Sequence, residues 1–113
     1  MPSLRQNKAS RLIQRELSTL FQREARNLFK NTMVTVTVVR ISPDLKVAKA
    51  YLSFFGVEDK TAKLEEIRNQ QGDIRRRLGT EMRHQLRYIP ELHFYLDDSI
   101  DLTEEIDNLL SKD

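Results

Sequence analysis

Cysteine is absent from the 113-residue sequence, so the chain has no disulfide bridge and no thiolate for nucleophilic or metal chemistry. Tryptophan is absent too, and the only histidines are His84 and His93. Two isolated histidines do not make a common zinc site, and no nucleophile, base and orienting acid stand together as in a hydrolase. The three glycines form no phosphate-binding loop. We therefore expect no cofactor, no metal, no small-molecule substrate and no catalytic activity.

Long hydrophobic runs are also absent. The most apolar stretch, over residues 33–39, is far too short to cross a bilayer. The N-terminal residues MPSLRQNKASR contain no apolar core of a secretory signal. From these residues we expect a cytoplasmic protein that does not contact a membrane, and the chain length is typical of a single domain.

Positive charge is unevenly distributed along the chain. Residues 1–90 contain 18 lysines and arginines against 9 acids, whereas residues 91–113 contain one lysine against 8 acids. Of the 18 basic residues, 12 are arginine, whose planar guanidinium binds phosphate through two parallel hydrogen bonds and stacks on bases. A basic body with an acidic tail indicates a polyanionic partner such as RNA.

The hydrophobic periodicity predicts an α+β fold. Apolar side chains recur every three or four residues in the expected helices and alternate in the expected strands. The elements are a helix over 7–28, strands over 33–41 and 46–55, helices over 60–71 and 73–86, and a strand over 91–97. The expected core is Val34, Val36, Val38, Leu52, Phe54, Ile74, Leu78, Leu92 and Phe94.

The order of these elements, α-β-β-α-α-β, is that of the type II KH architecture, with helices on one face of a three-stranded sheet. Gly72 interrupts the helical pattern between the two consecutive helices and predicts a helix kink there. We divide the chain into a KH-like domain over 1–100 and an acidic C-terminal helix or tail over 101–113. Asp98 and Ser99 are candidates to cap that last helix.

Candidate RNA-binding residues lie on two predicted helices and beside the predicted turn Ser42-Pro43-Asp44-Leu45. At about 100° per residue, basic side chains line one side of each helix, away from its apolar face. Such stripes also occur on any solvated amphipathic helix, but residues 1–40 contain 8 basic residues and only two acids, which favours phosphate contact. The candidates are Arg76, Arg83 and Arg87 with the flanking Arg75 and Arg77, then Lys8, Arg11 and Arg15, and finally Arg40 and Lys46 beside the turn.

Two segments resemble the ribosome-binding factor A family. ISPDLKVAKAYLSFFG resembles that family's hairpin, with its Ser-Pro-Asp-Leu turn and Ala-Lys-x-Tyr strand. GDIRRRLGTEMRHQLRYIPELHFYLDDSID resembles its second half, and the first helix matches more loosely. In the family an Ala-x-Gly helix junction stands where other KH domains have a Gly-x-x-Gly loop. Here the junction is Gln70-Gln71-Gly72, which keeps the glycine and departs at Gln70.

The resemblance implies a non-enzymatic assembly factor with a type II KH-like domain. Its partners would be the small (30S) ribosomal subunit and 16S rRNA, whose late maturation, including that of the 5′ end, the family assists. The family also supports growth in the cold, and we expect this chain to be a monomer.

Two other functions stay open on the residues alone. A protein-interaction module would use the basic surface to bind an acidic protein, and competition by RNA separates this alternative from RNA binding. A ribonuclease is a more distant alternative, because no carboxylate cluster or histidine pair stands among the basic residues.

Overall fold

The helices and strands follow the predicted order, with the first helix divided in two. The computed structural model describes residues 2–97, so the expected C-terminal helix or tail over 101–113 and its cap at Asp98 and Ser99 lie outside the described residues. Within them the elements are α1 (Leu4–Arg23), α2 (Ala25–Phe29), β1 (Met33–Ile41), β2 (Val47–Phe55), α3 (Lys60–Asn69), α4 (Gln71–Met82) and β3 (Glu91–Leu96).

The three strands form one mixed sheet in the order β1-β2-β3. β1 and β2 are an antiparallel hairpin, whereas β3 runs parallel to β2. The helices pack on one face of this sheet, where alternate strand residues meet the apolar stripes of α1, α3 and α4. Phe21 of α1 lies near the middle of this core, with its ring centroid 4.7 Å from that of Phe29 and 6.2 Å from that of Phe94. The arrangement is α+β and KH-like, as the element order predicted.

A β-bulge in β1 changes which valines are buried. Val36 pairs with Leu52 and Val38 pairs with Tyr51, so Thr37 is an extra residue opposite consecutive residues of β2. After the bulge the alternation is inverted, because one added residue turns the following side chains to the other face. The expectation that Val38 belongs to the core is therefore wrong. Val38 is half-buried on the outer face, and Val39 and Ile41 are buried in its place.

The first helix begins at Leu4 rather than near residue 7. Ser3 and Gln6 form a capping box, in which the Gln6 N–H donates to the Ser3 hydroxyl and the Ser3 N–H donates to the Gln6 side-chain oxygen. Gln6 also donates from Nε2 to the Ile41 carbonyl at 3.0 Å, and Gln14 donates to the Thr37 carbonyl in the bulge at 2.9 Å. Two glutamines of α1 thus satisfy carbonyl groups of the edge strand β1.

The junction between α3 and α4 is at Gln70, two residues before the predicted kink at Gly72. Gly72 lies in the first turn of α4, and a Cβ added there would meet nothing within 4 Å. Gln70 instead donates from Nε2 to the Leu28 carbonyl at 2.7 Å, and Lys63 donates from Nζ to the Phe29 carbonyl at 3.0 Å. These side chains satisfy the last carbonyls of α2, which have no partner within their own helix.

The last helix of the core ends earlier than the sequence predicted. α4 stops at Met82, not near residue 86, and the N–H groups of Gln85 and Leu86 both donate to the Met82 carbonyl in a closing turn. The chain then leaves the helix to reach β3, whose first residue, Glu91, donates its N–H to the Lys46 carbonyl at 2.8 Å. Arg87 consequently does not continue the helical stripe of Arg76, whereas Arg83, the residue after Met82, keeps helical backbone angles.

Ion pairs hold α4 against the break between α1 and α2. Arg77 contacts Asp73 at 2.9 Å and Glu24 at 3.1 Å, while Asp73 also pairs with Arg76. A hydrogen bond from Asn27 and the charge of Arg77 lower the pKa of Glu24 below its ordinary 4.5. Hydrogen bonds from Arg76 and Arg77 likewise lower the pKa of Asp73. The pair of Glu24 and Arg77 helps set the position of α4 on α1.

The bulge predicts that substitution of two neighbouring valines lowers the free energy of unfolding by different amounts. Val39→Ala removes two buried methyl groups and is expected to lower the free energy of unfolding by about 2 kcal/mol, whereas Val38→Ala is expected to cost less than about 1 kcal/mol. Urea denaturation followed by circular dichroism measures both values. A larger loss for Val38→Ala would contradict the bulge and restore the simple alternation of β1.

The lowered pKa of Glu24 predicts an acid-dependent contribution to stability. Because the folded-state pKa lies below that of the unfolded chain, ionised Glu24 stabilises the fold above about pH 4.5, and the contribution is lost as pH falls through the folded-state value. The difference in urea midpoint between wild type and Glu24→Gln should therefore narrow between about pH 7 and about pH 3. Glu58→Gln is the control, since Glu58 is exposed and forms no ion pair within residues 2–97. A difference in urea midpoint between wild type and Glu24→Gln that stays constant with pH would contradict the stabilising role of ionised Glu24.

Candidate nucleic-acid interface

A groove of about 540 Å³ lies where the start of α1, the β1–β2 turn and the loop between α4 and β3 meet. We call it the basic groove, because four of its lining side chains are cationic and one, Asp44, is acidic. α1 contributes Arg5, Lys8 and Leu12, the turn contributes Asp44, Leu45 and Lys46, and the loop contributes Leu86, Arg87 and Tyr88.

Side-chain hydrogen bonds make the β1–β2 turn rigid. The Ser42 hydroxyl donates to Asp44 Oδ1 at 2.6 Å and accepts from the N–H of Val47 at 3.0 Å, while the N–H of Lys46 donates to Asp44 at 3.1 Å. The bonds from the Ser42 hydroxyl and the Lys46 N–H lower the pKa of Asp44. Leu45 has a φ of 61°, a left-handed conformation that a hairpin turn of this kind usually assigns to glycine. The turn holds the Leu45 side chain in the wall of the groove.

Arg75 fixes the opposite wall. Its Nε and Nη2 donate to the Ile89 carbonyl, at 3.2 and 2.6 Å, and Nε also lies 3.1 Å from the Pro90 carbonyl. Its guanidinium carbon lies 5.5 Å from the centre of the Tyr88 ring. Arg75 thus closes the loop from α4 to β3 and supports Tyr88 by a cation–π contact.

The structure brings three of the candidate residues together. Lys8, Lys46 and Arg87 line the basic groove, although they are far apart in sequence. Within the described part of the chain, Lys8 and Arg87 form no ion pair, and both are exposed. Their charges are therefore available to an anionic partner.

Two further lining residues, Arg5 and Tyr88, were not among the sequence-based candidates. Arg5 was missed because the helix was expected to begin near residue 7. With the start at Leu4, Arg5, Lys8 and Leu12 are spaced by three and four residues and share one helical face. Tyr88 had no signal in the helical pattern, since its position depends on the loop that Arg75 closes.

The remaining candidates lie outside the basic groove. Arg11 and Arg83 are exposed on α1 and after α4, while Arg15 and Arg76 are exposed but lie beside acids, Arg15 at 3.8 Å from Glu16 and Arg76 paired with Asp73. Arg75 and Arg77 hold the loop and the α1–α4 contact, and the Arg40 guanidinium carbon lies 5.6 Å from the Tyr51 ring centre on the outer face of the sheet. Contact of these residues with RNA stays a prediction.

The basic groove combines two chemical characters. Cations on its rim favour phosphate, and apolar side chains in its walls favour a flat or hydrophobic group. Among residues 2–97, no group of three or more histidines, aspartates or glutamates is placed to hold a metal ion. No helix in this part of the chain is long and apolar enough to cross a membrane.

The role of Arg75 in closing the loop can be measured as stability. Arg75→Lys cannot reproduce the forked hydrogen bonds to two carbonyls, and we expect it to lower the free energy of unfolding by about 2 kcal/mol. Arg76→Lys is the matched control at an exposed position, where an ion pair contributes less than about 1 kcal/mol. Equal losses in urea denaturation of the two variants would show that Arg75 does not fix the loop.

Known proteins are similar to this chain in sequence and in fold. A protein of Cytophaga hutchinsonii described as ribosome-binding factor A is 49% identical over 112 residues, which cover 99% of this chain and 84% of that protein. The crystal structure of ribosome-binding factor A from Thermus thermophilus has a TM-score of 0.65 at 21% identity and covers 80% of this chain and 94% of its own, so it supports the fold.

A second structural match is a homology model of the Thermus thermophilus factor, fitted into the cryo-EM map of its complex with 30S. It has a TM-score of 0.61 at 28% identity and covers 78% of this chain and 91% of its own. The family model of ribosome-binding factor A matches residues 5–110. This match and the near full-length identity to a curated relative show that the chain belongs to the ribosome-binding factor A family.

Proposed function

We propose that this protein binds the small (30S) ribosomal subunit through 16S rRNA and assists late maturation of that RNA, including its 5′ end, without catalysing a reaction. The observation that carries the proposal is the basic groove, where Arg5, Lys8 and Arg87 stand exposed without ion pairs in residues 2–97. The similarity to a factor fitted into a 30S complex supports the choice of partner.

The rigidity of the groove walls supports RNA as the ligand. Hydrogen bonds within the turn and the Arg75 clamp hold the backbone on both sides, so few groups become ordered on binding. Phosphate contacts by lysine and arginine release counterions, and the affinity then falls steeply with salt. A factor of this kind binds reversibly and leaves when the RNA is rearranged.

The proposed action is that of a chaperone. By occupying phosphates and nearby bases, the protein holds immature 16S rRNA in one arrangement until later steps complete the 5′ end. Misfolded RNA helices rearrange more slowly in the cold, so such a factor has a larger effect at low temperature. We place the protein in the cytoplasm as a monomer, where it meets assembling subunits.

The exposed cations outside the basic groove extend the proposed contact. Arg11 and Arg15 continue along α1 from Lys8, and Arg83 follows α4 close in sequence to Arg87. Since none of them lines the basic groove, we expect them to reach neighbouring phosphates rather than the groove itself. Arg76 is the weaker contributor, since Asp73 neutralises part of its charge.

Binding of an acidic protein is the second candidate function. The apolar part of the groove favours this function, because an apolar side chain of a protein partner fits the same space as a base. A competition experiment distinguishes RNA binding from binding of an acidic protein. Free 16S rRNA displaces the protein from the subunit only if RNA is the main contact.

The proposal predicts which charges matter for subunit binding. Lys8→Gln/Arg87→Gln removes one lysine and one arginine from the basic groove, and Arg26→Gln/Lys49→Gln removes the same charges from exposed positions outside it. In co-sedimentation with purified 30S subunits, the groove variant should lose about tenfold or more in affinity, because two charge-assisted phosphate contacts disappear. The slope of log affinity against log salt concentration should become shallower by about 0.7 for each lost phosphate contact, which is the value for single-stranded nucleic acid.

The control variant should bind 30S as the wild type does, and neither protein should prefer large subunits. Equal weakening of both variants would mean that net charge, not the groove, determines binding. Wild-type protein that shows no preference for 30S would contradict the proposed function. In cells, the groove variant alone should accumulate 16S rRNA with an unprocessed 5′ end, as measured by primer extension.

A further inference from the structure

The basic groove is more apolar than phosphate binding requires. Leu12, Leu45 and Leu86 line its walls between the cations, and the side chain of Tyr88 is 53% exposed. Only Leu4, Met33 and Phe55 are comparably exposed large hydrophobic residues in the described part of the chain, and none of them lines the groove. An exposed ring beside cations is the arrangement that binds unpaired bases in single-stranded nucleic acid sites.

The backbone at Leu45 points to a use for its side chain. A left-handed conformation is unfavourable for leucine and free of cost for glycine. Strain of this kind persists where the surrounding structure enforces it, and it is concentrated at functional sites. The side chain of Leu45 packs against the core and also lines the groove, so glycine at this position would remove both that packing and the apolar wall.

Tyr88 is positioned before any ligand arrives. Arg75 supports the ring through its guanidinium and holds the following carbonyls by hydrogen bonds. A ring that is already held loses little conformational freedom when a second flat group stacks on it. Half of its surface nevertheless remains open to solvent.

We propose that the basic groove holds one unpaired nucleotide of the RNA, with its base stacked on Tyr88 against Leu45 and its phosphates on Arg5, Lys8 and Arg87. This inference rests on the proposed function and names the RNA element that the same groove takes. A volume of about 540 Å³ is within the range of pockets that enclose small molecules, so one nucleotide fits.

The charges of the rim give the nucleotide an orientation. Asp44 repels phosphate, and because its carboxylate accepts the Lys46 backbone N–H at 3.1 Å, it lies close enough to offset part of the Lys46 charge. The phosphates therefore bind at Arg5, Lys8 and Arg87, and the base lies toward the turn. A paired base in a duplex stays inside its stack, so an RNA duplex offers only its phosphates to the rim.

The absence of tryptophan from the sequence allows a direct test. Tyr88→Trp places a single fluorophore in the groove, and Phe55→Trp places one at the other end of β2, where Phe55 is 79% exposed. Each variant is titrated with a short single-stranded RNA of mixed sequence and with its duplex. Single-stranded RNA should quench the Tyr88→Trp emission strongly, the duplex should quench it weakly, and Phe55→Trp should respond to neither.

Binding measurements on further variants test the same contact. Tyr88→Ala should weaken single-stranded RNA binding about tenfold or more, while Tyr88→Phe keeps the ring and should bind as wild type. Leu45→Gly should weaken binding while the variant keeps the circular dichroism spectrum of the folded protein, because relief of the left-handed strain offsets part of the core packing that is lost. Such a result shows that binding weakens because the apolar wall is removed, and not because the protein unfolds.

The outcomes distinguish this inference from the proposed function. If wild-type protein binds 30S but duplex and single-stranded RNA quench Tyr88→Trp equally, or neither does, the nucleotide pocket is overturned while subunit binding stands. If Tyr88→Ala loses 30S binding without any response to RNA, the groove takes a segment of a ribosomal protein, which also overturns it. If wild-type protein fails to bind 30S while single-stranded RNA quenches Tyr88→Trp, the pocket stands and the partner was wrongly chosen.

Discussion

The parallel pairing of β3 with β2 is the constraint on which the rest of the structure depends. Neighbouring parallel strands cannot be joined by a tight turn, so the chain must cross over, and α3 and α4 are that crossover. Because Glu91 pairs with Val47, the crossover ends beside the β1–β2 turn. The start of α1 is held at the same end of the sheet by the bond from Gln6 to Ile41. Three distant segments therefore meet at one end of the sheet, and the basic groove is the space between them.

The arginines are divided between holding the fold and meeting a partner. Three are consecutive at 75–77, yet Arg75 clamps the loop, Arg77 joins α4 to Glu24, and Arg76 remains exposed beside Asp73. The cations that line the groove come instead from α1, the turn and the loop. The division follows from geometry, because a helix turns about 100° per residue and sends adjacent side chains to different surroundings. A run of like charge on a helix is thus not a single binding surface.

Several polar side chains that the sequence pattern assigns to the solvent-facing surface instead donate hydrogen bonds to backbone carbonyls. Gln6 and Gln14 satisfy the edge of β1, while Gln70 and Lys63 satisfy the end of α2. The amide of Gln70 supplies a tie between helices that an alanine at this position has no atoms to make. The junction is therefore defined by a hydrogen bond to α2 rather than by the flexibility of Gly72.

The sequence by itself determined the element order, the KH-like α+β fold and most of the core, because periodicity and turn chemistry are local properties of the chain. It also determined the basic body and the family, since both depend on residue identity. Tertiary structure decided the rest. The bulge that exchanges Val38 for Val39, the early end of α4 and the meeting of Arg5, Lys8, Arg87 and Tyr88 depend on contacts between segments far apart in sequence. No local pattern encodes such contacts, since each one requires the whole sheet and its crossover to be in place.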